Sequence, residues 1–318
     1  MVKIGIHIVP LMSAPDVVDI AVAAEQIGYD YCLVADEGLH PDVYACLGAI
    51  ARETTRIKLG PVTNGYTRHP AASAAAVASL NELSRGRALV TLVAGGSMVL
   101  DPMGIDRNRP YRVVRDTVQV MRSLWSGERV TWSGDSHRLE NAQLSSGRHD
   151  IPIWISSRGP MLLSLAGREA DGVLLTVKPD LKAAFEIAAA EPDHQQPERI
   201  YLGRICYAPE MFDQQRQTMP FILKDSPERV LSSVGFDNDQ IARITATDDP
   251  SDLHDLITDE LLSRYQIHGS PEACSEQVAD LVSKHDLDTL MVDVLSRDLV
   301  ENLDLLQRTY NIITDGRR

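Results

Sequence analysis

Long apolar runs, basic tracts and paired cysteines are all missing from this chain, and each absence removes a class of function. No segment approaches the roughly 18 consecutive apolar residues of a membrane span. No run of lysine and arginine stands against the 45 acidic residues, and a formal charge of −14 repels the phosphates of nucleic acid. The four cysteines, Cys32, Cys46, Cys206 and Cys274, contain no C-x-x-C pair and sit in apolar or helical contexts, so they read as small hydrophobes in a reducing compartment. Aromatics make up only 5% of the 318 residues. H-E-x-x-H, G-x-x-x-x-G-K-[ST] and G-x-S-x-G are absent, which argues against zincins, P-loop NTPases and α/β-hydrolases. The N-terminal Met1-Val2-Lys3-Ile4-Gly5 has neither the apolar stretch nor the cleavage site of a signal peptide, so a cytoplasmic location is expected.

What is present is an alternation of strands and helices. The apolar run Ile4–Val9 reads as a strand. Pro15–Ile27 follows as a helix with apolar residues at 17, 20, 21, 24 and 27, and Gly28 suits its left-handed end. Further strands are expected at Tyr31–Val34, Arg56–Leu59, Ala88–Val93, Pro152–Ile155, Gly172–Thr176, Ile200–Tyr207 and Thr289–Val294. Helices are expected at Val43–Glu53, Ala71–Leu83, Pro110–Trp125, Met161–Arg168, Leu181–Ala190, from Ser270-Pro271 onward, and at Leu299–Ile312. The polar stretch Glu128–Asp150 reads as a connecting excursion of hairpin type. Helical patterns without a strand from Met211 to Leu262 read as an insertion over one end of the fold. Eight βα units, with no G-x-G-x-x-G after the first strand, favour a closed (β/α)8 barrel over an open doubly wound sheet. The chain is thus read as one barrel over residues 1–318, with a helical insertion at about 190–262.

In such a barrel the chemistry belongs to the C-terminal ends of the strands. Those positions here are His7, Asp36-Glu37, Thr63-Asn64, Gly95-Gly96-Ser97, Ser156-Ser157-Arg158-Gly159 and Thr176. Ser156-Ser157-Arg158-Gly159-Pro160 follows a buried strand and opens a helix. Free N–H groups, two hydroxyls, an arginine and a glycine make a phosphate cradle there, or an ordinary helix cap with a surface arginine. Asp36-Glu37 offers a ligand acceptor or a general acid or base, or else a solvated loop pair. Strand alternation aims His7 into the barrel, as a ligand or as a structural residue. Arg107, Arg109, Arg112 and Arg115 make a local basic patch, either salt-bridged or in contact with an anionic ligand tail.

The run Lys58-Leu59-Gly60-Pro61-Val62-Thr63-Asn64-Gly65-Tyr66-Thr67-Arg68-His69-Pro70 resembles the luciferase-like superfamily, and within it the F420-dependent methylene-tetrahydromethanopterin reductases. Supporting stretches are Ile4-Gly5-Ile6-His7-Ile8-Val9-Pro10, Asn81-Glu82-Leu83-Ser84-Arg85-Gly86-Arg87, Ser157-Arg158-Gly159-Pro160 with Ala170-Asp171-Gly172, and Gly269-Ser270-Pro271-Glu272. The likeness covers residues 3 to 180 well and 265 to 312 more weakly. It implies a deazaflavin or flavin across the strand C-termini, near Asp36, Val62, Thr63, Asn64 and Gly95, with its phosphate near Ser157, Arg158, Gly159 and Thr176. The family habit is a homodimer or larger homo-oligomer; no metal is expected, and His7 or Glu37 is the expected catalytic acid or base.

The family's Gly-Pro-Gly-Val-Thr-Asn-Pro stands here as Gly60-Pro61-Val62-Thr63-Asn64-Gly65, which leaves the family's non-prolyl cis bond, at Pro61–Val62, an open question. Where the reductases carry a strand-one glutamate this chain has His7. Asp36-Glu37 replaces Asp-His, and Ala94-Gly95-Gly96-Ser97 replaces Gly-Pro-Gly-Asp. Cofactor-side motifs thus persist better than substrate-side residues. The leading expectation is an F420-dependent oxidoreductase acting on a small substrate other than methylene-tetrahydromethanopterin. The alternatives are an FMN-dependent monooxygenase and a non-enzymatic barrel subunit.

Overall fold

The computed structural model describes residues 2–190 and 196–315. Eight parallel strands close into a barrel: β1 (Lys3–Ile8), β2 (Tyr31–Ala35), β3 (Lys58–Thr63), β4 (Val90–Val93), β5 (Ile153–Ser156), β6 (Gly172–Leu175), β7 (Glu198–Gly203) and β8 (Thr289–Val294). Each strand pairs with its sequence neighbours, and β8 returns to β1 with Lys3 opposite Thr289 and Ile8 opposite Val294. Around them lie α1 (Ala14–Ile27), α2 (Val43–Glu53), α3 (Pro70–Leu83), α4 (Pro110–Trp125), α5 (Pro160–Glu169), α6 (Leu181–Ala189), α7 (Pro271–His285) and α8 (Leu299–Asp315). The (β/α)8 barrel expected from the alternation is the fold observed. No helix among the described residues is long and apolar enough to cross a membrane.

Two apolar layers follow from the two-residue period of the strands. Ile4, Ile6 and Ile8 of β1, and Leu290, Val292 and Val294 of β8, pack outward against the helices. Tyr31, Leu33, Leu89, Trp154, Leu174, Ile200 and Met291 fill the barrel interior as a separate cluster. The same alternation places His7 and Asp293 on the interior side, beyond that filling and toward the C-terminal mouth.

Helix ends obey local chemistry. Ser13 caps α1 by accepting the Asp16 N–H, and Gly28 closes it at φ 124°. Asp42 accepts the Ala45 N–H at 2.9 Å, and Ser270 accepts the Ala273 N–H at 3.2 Å ahead of Pro271. The close approach of α5 to α6 requires Gly167, because a Cβ there would overlap the Ala188 carbonyl. Backbone cannot swing aside as a side chain can. Gly167→Ala is therefore expected to destabilise the protein by about 1–3 kcal/mol, read as a lower urea midpoint with unchanged slope.

Most boundaries shift by a residue or more from the sequence reading, and three of the differences change the barrel wall. Strand β3 runs on to Thr63 instead of stopping at Leu59, so Pro61-Val62-Thr63 is barrel wall and not loop. A proline deletes one donor, while the N–H groups on either side of it still serve the ladder. The expected strand Ile200–Tyr207 divides into β7 and a separate Ile205–Cys206 segment paired with Ile267–His268. Strand β4 begins at Val90, preceded by a lone bridge between Leu59 and Ala88. All described peptide bonds are trans, Pro61–Val62 included.

The Glu128–Asp150 excursion is an antiparallel hairpin of Val130–Ser133 with Arg138–Ala142. It is strapped to α4 by the fully buried Asp116, which accepts the Ser136 N–H at 2.6 Å and an Arg115 N–H at 2.9 Å. Arg112 and Arg115 both reach Asp135, so the C-terminal half of the basic patch is a salt-bridged face.

Between Pro209 and Tyr265 lie five short helices with their own apolar core, including Met219, Leu223, Val230, Leu231, Ile244 and Leu262. Val177, just after β6, joins that core and anchors it to the barrel. The insertion expected at about 190–262 instead spans Pro209–Tyr265, because the barrel needs β7 at Glu198–Gly203 before the chain can leave it; Met1, residues 191–195 and residues 316–318 lie outside the described residues.

Candidate functional site

At the C-terminal ends of β4, β5 and β6 a cavity of about 600 Å³ opens between the barrel and the insertion. Gly95, Ser157, Arg158, Gly159 and Thr176, five of the residues singled out from the sequence, all line it. Arg107, Lys224, Asp225 and Ser226 close the opposite side.

The floor of this cavity is the start of α5. Gly159 occupies the N-cap position with extended backbone and no side chain satisfying the first turn, and Pro160 follows inside the helix. Ser157 Oγ accepts the Gly159 N–H at 3.1 Å. A Cβ on Gly159 would meet nothing nearer than that Oγ at 3.9 Å, so the space in front of the helix is open. Unsatisfied N–H groups and the positive end of the helix dipole favour an anion there.

The cations above the cradle are partly committed. Arg158 donates to the Ile222 carbonyl at 2.9 Å and to Ser226 Oγ at 2.8 Å, which ties the cradle to the insertion. Burial holds its guanidinium below the ordinary arginine range. Lys224 donates to the Thr247 and Asp248 carbonyls. Arg107 donates to the Ala94 carbonyl at 3.1 Å and lies 3.7 Å from Asp225, whose other oxygen accepts from the Ser97 N–H and hydroxyl at 3.3 Å each. Insertion and β4 loop are thereby stitched together across the cavity mouth.

A second group of candidates sits on the other side of the barrel mouth. His7 is 9% exposed, and its Nδ1 is 2.7 Å from Asp293 Oδ1, its register partner on β8. Its Nε2 is buried without a hydrogen-bond partner. Asp36 Oδ2 accepts the Thr63 hydroxyl at 2.7 Å. Burial pushes the Glu37 carboxyl above the ordinary carboxylate range; His7 and His40 pull it down, and Asp36 adds to the rise. Arg204, only 6% exposed just beyond β7, is lowered by burial while Asp293 and Cys206 support its charge.

Two of the candidates have local duties. Asn64 Oδ1 accepts the Tyr66 and Thr67 N–H groups at 2.8 and 3.0 Å, holding the turn after β3. Val62 packs against the interior cluster. His7, Asp36, Glu37, Val62, Thr63 and Asn64 do not line the cavity that contains the cradle. Asp293 and the insertion residues Lys224 and Asp225 were not singled out from sequence. Asp293 has a sequence signal, a carboxylate within the otherwise apolar strand Thr-Leu-Met-Val-Asp-Val. Lys224 and Asp225 have none, because the insertion follows no motif.

The family described as luciferase-like monooxygenase matches residues 4–285. This chain belongs to that family. It is an oxidoreductase by that membership. Over 293 residues it is 31% identical to the 5,10-methylenetetrahydromethanopterin reductase of Methanolobus tindarius, covering 87% of this chain and 90% of the relative. It is 33% identical over 175 residues to the F420-dependent glucose-6-phosphate dehydrogenase of Nakamurella multipartita, covering 51% of this chain and 52% of the relative. The solved structure of the coenzyme F420-dependent tetrahydromethanopterin reductase from Methanopyrus kandleri superposes with a TM-score of 0.83 at 23% identity, covering 100% of this chain and 99% of that one, a likeness of fold.

Proposed function

We propose that this protein transfers hydride between F420 and a small organic substrate other than methylene-tetrahydromethanopterin. The observation that carries this reading is the open, uncapped start of α5 at a cavity of about 600 Å³ rimmed by Arg107, Arg158 and Lys224. The donor set fits a cofactor phosphate: Ser157, Gly159 and the first turn of α5 would hold it, with Thr176 beside them. Arg107 and Lys224 would face its anionic tail. When bound, a deazaflavin supplies or accepts hydride at its carbon 5.

The remaining work falls to the chain's own groups. The Asp225–Ser97 and Arg158–Ser226 bonds hold the insertion over the cavity, where it would shield a bound cofactor from water. His7, with Glu37 near it, supplies the proton that must accompany hydride to a polar bond. A substrate distinct from that of the methanopterin reductases is supported by His7, Glu37 and the Ala94-Gly95-Gly96-Ser97 turn, which replace the residues those relatives carry.

The test is a fluorescence titration of purified protein with F420 and, separately, with FMN. We expect micromolar or tighter binding of F420 and none of FMN. Preference for FMN would overturn the reading in favour of an oxygen-using flavin enzyme. Binding of neither would favour a barrel without a redox cofactor.

A further inference from the structure

On the adjacent strands β1 and β8 the last interior-facing residues are His7 and Asp293. The two are paired by register and joined at 2.7 Å through Nδ1 and Oδ1. An ionised carboxylate has only lone pairs to offer, so the proton in this bond belongs to His7 Nδ1. In the neutral ring Nε2 is then left with a lone pair, and this atom is the one buried without a partner. A buried polar atom with nothing to bond to is unfavourable unless something else is to fill that position.

Charged and titratable groups from the end of β7 and from the loop after β2 face this pair. Arg204, from the end of β7, is the cation whose field reaches Asp293. From the loop after β2, Glu37 feels both His7 and His40, and Asp36 is engaged by Thr63. Burial disfavours Glu37 as an anion.

We infer that Asp293 is a positioning residue that fixes the Nδ1–H tautomer of His7 and so reserves Nε2 for the oxygen of a carbonyl or alcohol substrate. This rests on the hydride-transfer reading above. In the reducing direction a bound reduced deazaflavin would supply the hydride that closes a C–H bond at the carbonyl carbon, with the C=O π pair moving onto oxygen. That oxygen takes the proton from Nε2 of the imidazolium, leaving an alcohol, an oxidised deazaflavin and a neutral imidazole still bonded to Asp293 through Nδ1–H. In the oxidising direction Nε2 takes the hydroxyl proton as hydride leaves carbon. The carboxylate stabilises the imidazolium and sets its orientation without itself being protonated.

The experiment is nitrogen-15 NMR of histidine-labelled protein, wild type and Asp293→Asn, through the neutral-to-alkaline range. The His7 signals are identified by their loss in His7→Gln. In the wild type we expect the neutral ring to show a protonated-type Nδ1 and a lone-pair-type Nε2. In Asp293→Asn the carboxamide can also donate, and we expect that fixed pattern to be lost or inverted. F420 fluorescence is measured on both proteins in parallel and is expected to be equal. A wild-type neutral ring protonated at Nε2, or an unchanged pattern in Asp293→Asn, overturns the inference. Failure of the wild type to bind F420 overturns the hydride-transfer reading, and the tautomer result stands apart from it. Should Asp293→Asn fail to fold, the wild-type spectrum alone still decides.

Discussion

Replacing His7 by glutamine is expected to lower hydride transfer by about 10²–10⁴-fold while F420 binding is retained. Glutamine is a neutral amide of similar length whose nitrogen falls nearer the position of Nε2 than that of Nδ1, so it keeps a polar group in the site but cannot release a proton there. A thermal melt of the variant separates loss of proton transfer from collapse of the buried pair with Asp293. The rate is read as single-turnover oxidation of reduced F420 by a carbonyl compound that the wild type turns over. A similar drop in kcat and in kcat/KM would place the lost interaction in the transition state. Full activity in His7→Gln with loss in Glu37→Gln would move the proton donor to Glu37, whose carboxyl is raised by burial and so keeps its proton to a higher pH than an exposed glutamate does.

Gly159→Asp should separate stability from binding in opposite directions. Gly159 is the N-cap of α5 with φ −84°, a conformation any residue adopts, and a Cβ there has open space around it. Aspartate is a better N-cap than glycine by a few tenths of a kcal/mol, so the fold should be held or slightly strengthened. The same carboxylate would occupy the spot proposed for the cofactor phosphate. Two like charges about 4 Å apart repel by about 4 kcal/mol at an effective dielectric of 20, and screening reduces this, so a weakening of about 100-fold in F420 affinity is expected. Calorimetric or fluorescence titration gives the affinity, and urea unfolding gives the stability. Unchanged affinity in a stable Gly159→Asp protein would remove the cradle from the cofactor site.

Much of the fold was legible because its rules are local. Pro15, Gly28 and the apolar positions between them specify α1 within one stretch of chain, and Ser270-Pro271 does the same for the start of α7. β3 runs beyond the expected Leu59 because β2 pairs with it through Pro61 and β4 pairs with it at Val62 and Thr63, contacts that no local pattern announces. The open start of α5 was legible too, since Ser157, Gly159 and the helix they begin are contiguous.

The amino-acid sequence by itself determined the alternation of elements, the inward direction of His7 and the helix start at Gly159-Pro160, because period, capping and turn chemistry act between residues a few positions apart. Only the tertiary structure decided which groups meet. Barrel closure brings His7 and Asp293, 286 positions apart, to hydrogen-bond distance. Insertion docking sets Arg158 against Ile222 and Ser226, and Asp225 against Ser97. No local rule carries those pairings. They follow from strand register and apolar packing across the whole chain, which fix side-chain positions only once every element is in place.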